Sequence, residues 1–246
     1  MTLTRSAYLT VSVAGMLLVA GLIGFWMAPG EAQESDEYFQ YSTYGRLVSG
    51  GYDGSLTISQ MMDHGDFGIG TTEGIAGEMI IYDGTPYLAD TDLRPVKIPD
   101  QTITPFAMVT YYDADRSFLI SSETNYSVLR TILDGEVPVQ GQVYAFMIEA
   151  HFESITVRSI PAQVQPYPPL VDVIANETVM EFHDLSGVMI GFRMPSDLGE
   201  VNVPGYHFHF LSEDLTVGGH VLEFSFTEAS VGMDQMETIN VTLLAP

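Results

Sequence analysis

The segment Gly205-Tyr206-His207-Phe208-His209-Phe210 puts two histidines two positions apart. Side chains alternate between faces along a strand, so His207 and His209 point to one side and Phe208 and Phe210 to the other. A connection from Leu211 to Gly219 follows, carrying Ser212, Glu213, Asp214 and the Gly218-Gly219 pair, and His220 opens the next apolar stretch. An antiparallel hairpin centred near Asp214 and Leu215 sets His220 opposite His209. Directly opposed residues have Cβ atoms about 5 Å apart, so three imidazoles converge on one point. Three neutral nitrogens with one position left open form the donor set of a catalytic zinc rather than a structural one. Iron, manganese and copper use the same ligands, and affinity order alone does not choose among them. An isolated His-x-His is commonly a solvated strand face. Here half of the six histidines fall between Tyr206 and Val221, on facing strands, which favours a metal. His64, His151 and His183 lack a partner at ligand spacing and read as structural, His64 closing a helix where its partial positive charge suits the dipole.

Strands must carry such a cluster, and the chain is rich in them. Gly77 to Ala89 reads as a hairpin turning at Asp83-Gly84, a pair suited to two successive positive φ values. Phe106 to Tyr112 and the long stretch Val143 to Ile160 are strand-like, as are Gly187 to Met194, Gly205 to Leu211, His220 to Phe226 and Ile239 to Leu244. Short helices fit Ser55 to Met62, stopped by Gly65, and Tyr126 to Leu133, capped by Thr124 or Asn125 with Gly135 beyond its end. Pro161 to Leu170 is too proline-rich for a central strand and reads as a crossing loop. The fold class is α+β with β dominant.

Composition bounds the partners. Thirty-two acidic residues face one lysine (Lys97) and seven arginines, a net charge of −24. Neutralising phosphates takes clustered Lys and Arg, so nucleic acid is excluded as a partner, and anionic lipid is repelled. With no cysteine in the chain, thiol nucleophiles and Cys-type metal sites fall away, and a transition metal must be held by histidine and carboxylate. At the N-terminus, Arg5 precedes the uncharged stretch Ala7 to Met27, and Gly30-Glu31-Ala32 gives a small-x-small pattern. Residues 1–32 therefore read as a signal peptide or signal anchor, and 33–37 as an acidic linker. The remaining chain is expected outside the cytoplasm, secreted or anchored at the outer face of the membrane, which it meets only through that N-terminal segment. Asn125, Asn176 and Asn240 lie in N-x-S/T sequons.

Five blocks taken in order carry a resemblance: QYSTYGRLVSGGYDG, HGDFGIGTTEGIAGEMIIYDG, ITVRSIPAQVQPYPPL, GVMIGFRMP and VPGYHFHFLSEDLTVGGHVLEF. Together they resemble the acetolactate decarboxylases, from about Tyr38 to the C-terminus, with the GYHFHF…GGHV block the most specific. The resemblance implies conversion of 2-acetolactate to acetoin and carbon dioxide, with zinc on His207, His209 and His220. It also implies two β-rich lobes, roughly 38–140 and 141–246, with the metal between them. The Gly77-Glu78 pair matches the family's catalytic glutamate, Arg158 matches its arginine, and Thr71 matches a substrate contact. Without the resemblance, Glu78 reads as a solvated strand face, Arg158 as an exposed strand end and Thr71 as a β-former. The implied partner is a small 2-hydroxy-3-oxo acid, with a homodimer one option for the assembly and no organic cofactor.

Members of that family continue past the last strand with a tail that returns a second glutamate to the metal, whereas this sequence ends at Leu243-Leu244-Ala245-Pro246. Glu223, an odd number of positions from His220, points to the opposite face, so a water, Glu213 or Asp214 is expected to fill the position. Two alternatives stand beside the decarboxylase reading. One is a metal-assisted lyase acting on another small 2-hydroxy or 2-keto acid; the other is an exported metal- or ligand-binding homologue without this activity. A cupin-like oxygenase shares the His-x-His…His pattern, but the other blocks do not resemble cupins.

Overall fold

The computed structural model describes residues 36–199 and 201–244. The signal or anchor segment 1–32 lies outside the described residues, and among those described no helix is long and apolar enough to cross a membrane.

The chain begins with β1 (Glu37–Tyr41), α1 (Tyr44–Val48), β2 (Leu56–Thr57), α2 (Ile58–Met62) and β3 (Phe67–Thr72). Next come β4 (Ala76–Tyr82), β5 (Thr85–Ala89), β6 (Pro95–Lys97), β7 (Ile103–Thr104) and β8 (Phe106–Thr110). Then follow β9 (Arg116–Asn125), α3 (Tyr126–Glu136), β10 (Tyr144–Ser159), α4 (Leu170–Ile174) and β11 (Thr178–Met194). The last strands are β12 (Gly205–Ser212), β13 (Gly218–Gln235) and β14 (Thr238–Thr242).

Local sequence explains most of these boundaries. Thr57 and Gln60 close a reciprocal capping box on α2. Asp83 and Gly84 take φ of 49° and 65°, the left-handed pair that a two-residue hairpin turn requires. Asn125 caps α3, but that helix runs through Gly135 to Glu136 rather than stopping before the glycine. Its last turn closes when the Val137 N–H donates to the Leu133 carbonyl at 3.0 Å, so no left-handed cap is needed. The stretch from Val143 to Ile160 holds a single long strand, β10 (Tyr144–Ser159), and β11 and β13 extend well beyond their apolar cores.

Two large sheets result. The first has the order β14-β1-β8-β3-β4-β5-β6; the second runs β10-β11-β12-β13-β9 and closes on itself through an added β10–β13 ladder. Inside the closed sheet lies an aromatic core of Phe146, Phe152, Phe208, Phe210, Phe224 and Phe226. A second core joins the sheets, with Phe67, Ile69 and Ile80 of the first packed with Ile190, Phe192 and Leu211 of the second. The division between sheets does not fall near residue 140. β9 and α3 precede that point yet belong with the second sheet, because β9 pairs with β13 and Leu129 and Leu133 enter the aromatic core. β14, near the end of the chain, crosses back to pair in parallel with β1. Each sheet thus borrows a strand from the other half of the sequence.

Candidate metal centre and catalytic site

The β12–β13 hairpin pairs His209 directly with His220, and Phe210 with Gly219. Phe208 and Phe210 point into the aromatic core, so His207 and His209 face the first sheet, as strand alternation requires. His207 Nε2 and His220 Nδ1 stand 3.0 Å apart, and one nitrogen from each of the three rings lies within 4.8 Å of the others.

The imidazoles are held neutral. Burial, with a smaller push from the Arg158 guanidinium, lowers His207 to about 4. Burial holds His209 and His220 well below the ordinary range, with proton repulsion from His207 adding to it. The His209 Nδ1–H donates to the Met79 carbonyl at 2.8 Å, which orients the ring and leaves Nε2 with its lone pair. That Nε2 is buried without a hydrogen-bond partner, as is His207 Nδ1. Glu78 Oε2 lies 3.3 Å from His209 Nε2, in contact but outside hydrogen-bond geometry.

Three neutral imidazoles converging on one point, with His209 Nε2 left unpartnered among them, are costly without a ligand and fit a divalent metal. Nitrogens bound to one zinc at ~2.0–2.1 Å in tetrahedral array stand roughly 3.3 Å apart, close to the His207–His220 separation.

The other wall comes from the first sheet. In β4, Glu78 and Ile80 face the second sheet while Met79 and Ile81 face α2, so Glu78 is 6% exposed rather than solvated. Getting it there takes unusual backbone. Gly77 has φ of 71°, and a Cβ on it would stand 2.6 Å from the Ala89 carbonyl oxygen. The β3–β4 register also shifts between Gly70 and Thr72. Burial pushes the Glu78 carboxyl up to about 7, against the pull of Arg158 and with Glu177 adding to the rise. Thr71 is buried too, and its hydroxyl donates to the Gly77 carbonyl at 2.8 Å, fixing the chain that delivers Glu78.

Arg158 is no free strand end. The β10–β13 ladder pairs it directly with His220, so arginine and histidines form one row across three strands. Its Nη1 donates to Glu177 Oε2 at 2.9 Å.

All six residues singled out from the sequence line one cavity of ≈ 290 Å³: Thr71, Glu78, Arg158, His207, His209 and His220. Its remaining walls are largely apolar, with Leu47 from α1, Leu170 and Ile174 from α4, and Phe106 among them. Glu213 and Asp214 are not on it. Asp214 is turned into its own loop, accepting from Ser212, from the Thr216 hydroxyl and from the Thr216 N–H, and Glu213 is exposed. Glu223 is exposed on the other face, as its offset demands. The other histidines lie elsewhere: His64 stacks on Phe39 at 3.7 Å between centroids, and His151 and His183 are exposed.

Sequence reasoning missed Glu177 and Asn202. Glu177 carries no local signal beyond its place in a sequon. Asn202, 1% exposed, donates to Tyr38 Oη and to Gln40 Oε1, both at 2.9 Å, and so holds a loop of the cavity wall against β1.

The profile of the alpha-acetolactate decarboxylase family matches residues 38–245. The chain belongs to that family. It is 40% identical over 200 residues to an alpha-acetolactate decarboxylase of Methanosarcina mazei, covering 81% of this chain and 69% of that protein. With the Methylococcus capsulatus alpha-acetolactate decarboxylase it shares 40% over 201 residues, 82% of this chain and 77% of the other. The crystal structure of the Bacillus subtilis strain 168 alpha-acetolactate decarboxylase superposes with a TM-score of 0.83 at 28% identity, covering 85% of this chain and 90% of that one. Membership makes the protein an enzyme, a lyase of the decarboxylase type.

Proposed function

We propose that this enzyme decarboxylates 2-acetolactate to acetoin and carbon dioxide with a zinc ion held by His207, His209 and His220, and that it does so outside the cytoplasm. The observation that carries the reaction is the juxtaposition of a buried carboxyl, Glu78, and a guanidinium, Arg158, on the cavity that the three neutral imidazoles line. Three nitrogen donors with an open position support zinc over the oxygen-preferring cations. A zinc bound there supplies Lewis-acid stabilisation of the negative charge that develops when the carboxylate leaves.

The chain's own groups do the rest. Arg158 receives the substrate anion through a planar pair of N–H donors, which a lysine cannot copy. When the carbon–carbon bond breaks, its electron pair passes into the adjoining ketone, and one proton must then reach the carbon that lost carbon dioxide. Glu78, in contact with His209 on the same cavity, delivers that proton. The apolar walls fit the two methyl groups of the substrate and exclude water from the charged centre.

Export rests on the N-terminal pattern: Arg5, the uncharged stretch Ala7 to Met27, and Gly30-Glu31-Ala32. The test of the reaction is acetoin formation from racemic 2-acetolactate by the zinc-loaded protein beside a chelated sample. Metal-dependent acetoin is expected; a folded, zinc-loaded protein that forms none would leave the reading to a metal-binding homologue. Cell fractionation checks the location, and protein confined to the cytoplasm would overturn export.

A further inference from the structure

Arg158 stands between two carboxylates, and only one of them has been given a role. Glu78 faces it across the cavity; Glu177 holds it from behind. Glu177 lies just past α4, where its N–H donates to the Ile174 carbonyl at 3.0 Å, and the next residue, Thr178, pairs with Ser159. That register puts Val179 directly opposite Arg158, so Glu177, two positions earlier and just before β11, lies diagonally across from it on the same face. The resulting bond, Nη1 to Oε2 at 2.9 Å, is partly sheltered, with the two side chains 16% and 24% exposed.

The bond uses one end of a five-donor group. Arg158 Nε is buried and has no hydrogen-bond partner. A buried, unpartnered N–H on a residue that lines a cavity marks the edge left for a ligand. An arginine with neither end held has many rotamers, and binding an anion must then freeze them. With Nη1 already fixed, that ordering is done before the ligand arrives.

We infer that Glu177 is a positioning residue: by holding Nη1 of Arg158 it fixes the guanidinium so that the Nε edge receives the carboxylate of a small hydroxy acid. This rests on the reading of Arg158 as the anion-binding group. On that basis Glu177 touches no reacting atom; it acts on binding through the arginine.

Two variants separate a held arginine from a merely charged neighbourhood. Glu177→Ala removes the acceptor, whereas Glu177→Gln removes the charge but keeps an oxygen that accepts from Nη1. Binding of 2-hydroxy-2-methylpropanoate, a hydroxy acid with no ketone to drive decarboxylation, is measured by calorimetry on the zinc-loaded proteins. KM and kcat for 2-acetolactate are measured on the same samples. Glu177→Ala is expected to weaken hydroxy-acid binding and raise KM about tenfold, with kcat within threefold of the parent, and Glu177→Gln to restore both to within about threefold. The inference is overturned if alanine binds like the parent, if glutamine is as weak as alanine, or if kcat falls while KM stays. Because the calorimetry needs no turnover, a parent enzyme that binds the hydroxy acid yet forms no acetoin would sink the proposed reaction and leave the Glu177 result intact.

Discussion

The two walls of the cavity are built in opposite ways. The metal wall is local: one hairpin supplies all three histidines within fourteen residues of chain, and a single cross-strand register, His209 opposite His220, fixes their convergence. The charged wall is assembled at long range, from β4, β10 and the turn before β11, and it exists only because the first sheet closes on the second. The metal wall is electrically quiet, its imidazoles kept neutral by burial, while the charged wall brings a cation and two carboxylates together at partly or fully buried positions. On the proposed reading, holding the metal and using it are separable properties of this fold. The walls meet where the Met79 carbonyl of β4 orients His209.

Breaking the metal wall has the largest expected effect. His209→Ala removes a ligand and the ring that Met79 holds, so the purified protein should retain almost no metal after dialysis and acetoin formation should fall to background. Metal content by elemental analysis checks this, and full occupancy in the variant would remove His209 from the centre. Gly77→Ala attacks the charged wall through its backbone. With φ at 71° and an added Cβ 2.6 Å from the Ala89 oxygen, the change should cost about 1–3 kcal/mol of stability. It should also displace Glu78, lowering turnover at least tenfold while metal affinity moves less than threefold. Equal losses of metal and turnover would show that the walls are not separable.

The smallest effect sharpens the comparison away from the site, where the sheets exchange strands. Asp234 near the end of β13 is fully buried; its Oδ2 accepts from the Asp113 N–H at 3.1 Å and its Oδ1 has no partner. Burial pushes its carboxyl up to about 7, with Asp115, Asp36 and Asp113 adding to the rise. A folded-state pKa above the unfolded one means that the stabilisation is present in full below the unfolded value. It is lost as pH rises through about 7. Asp234→Asn has no such charge to bury, so its Tm relative to the parent should be higher at pH 8 than at pH 5. A pH-independent Tm difference would contradict the assignment.

The same contrast sets what could be read from residues alone. The metal wall was legible because strand alternation and hairpin register are short-range rules, and both His207 and His209 on one face and His220 opposite His209 follow from them. Glu78, Arg158 and Thr71 had ordinary readings in isolation, and only the family resemblance singled them out. Nothing in GEMIIY tells which face of β4 will be covered, since that depends on β12 and β13 of the second sheet, more than a hundred residues later. Glu177 and Asn202 were missed for the same reason: each acts through a partner distant in sequence or across a loop. That β9 pairs with β13 and β14 with β1 was not legible either, because strand exchange between sheets leaves no local mark. Glu213 and Asp214 suit a metal by residue type, but their hairpin turn satisfies Asp214 internally and leaves Glu213 exposed.

The most direct test of the separable walls is metal content and acetoin formation measured on the same sample of Glu78→Gln, beside the parent. The amide is nearly isosteric and lies off the ring of ligands, so the variant should hold zinc at the parent's stoichiometry. Its turnover should drop by roughly 10²–10⁴-fold, the usual weight of a positioned proton donor. A variant that keeps its zinc and still forms acetoin at the parent's rate would contradict the account, and so would one that loses zinc and turnover together.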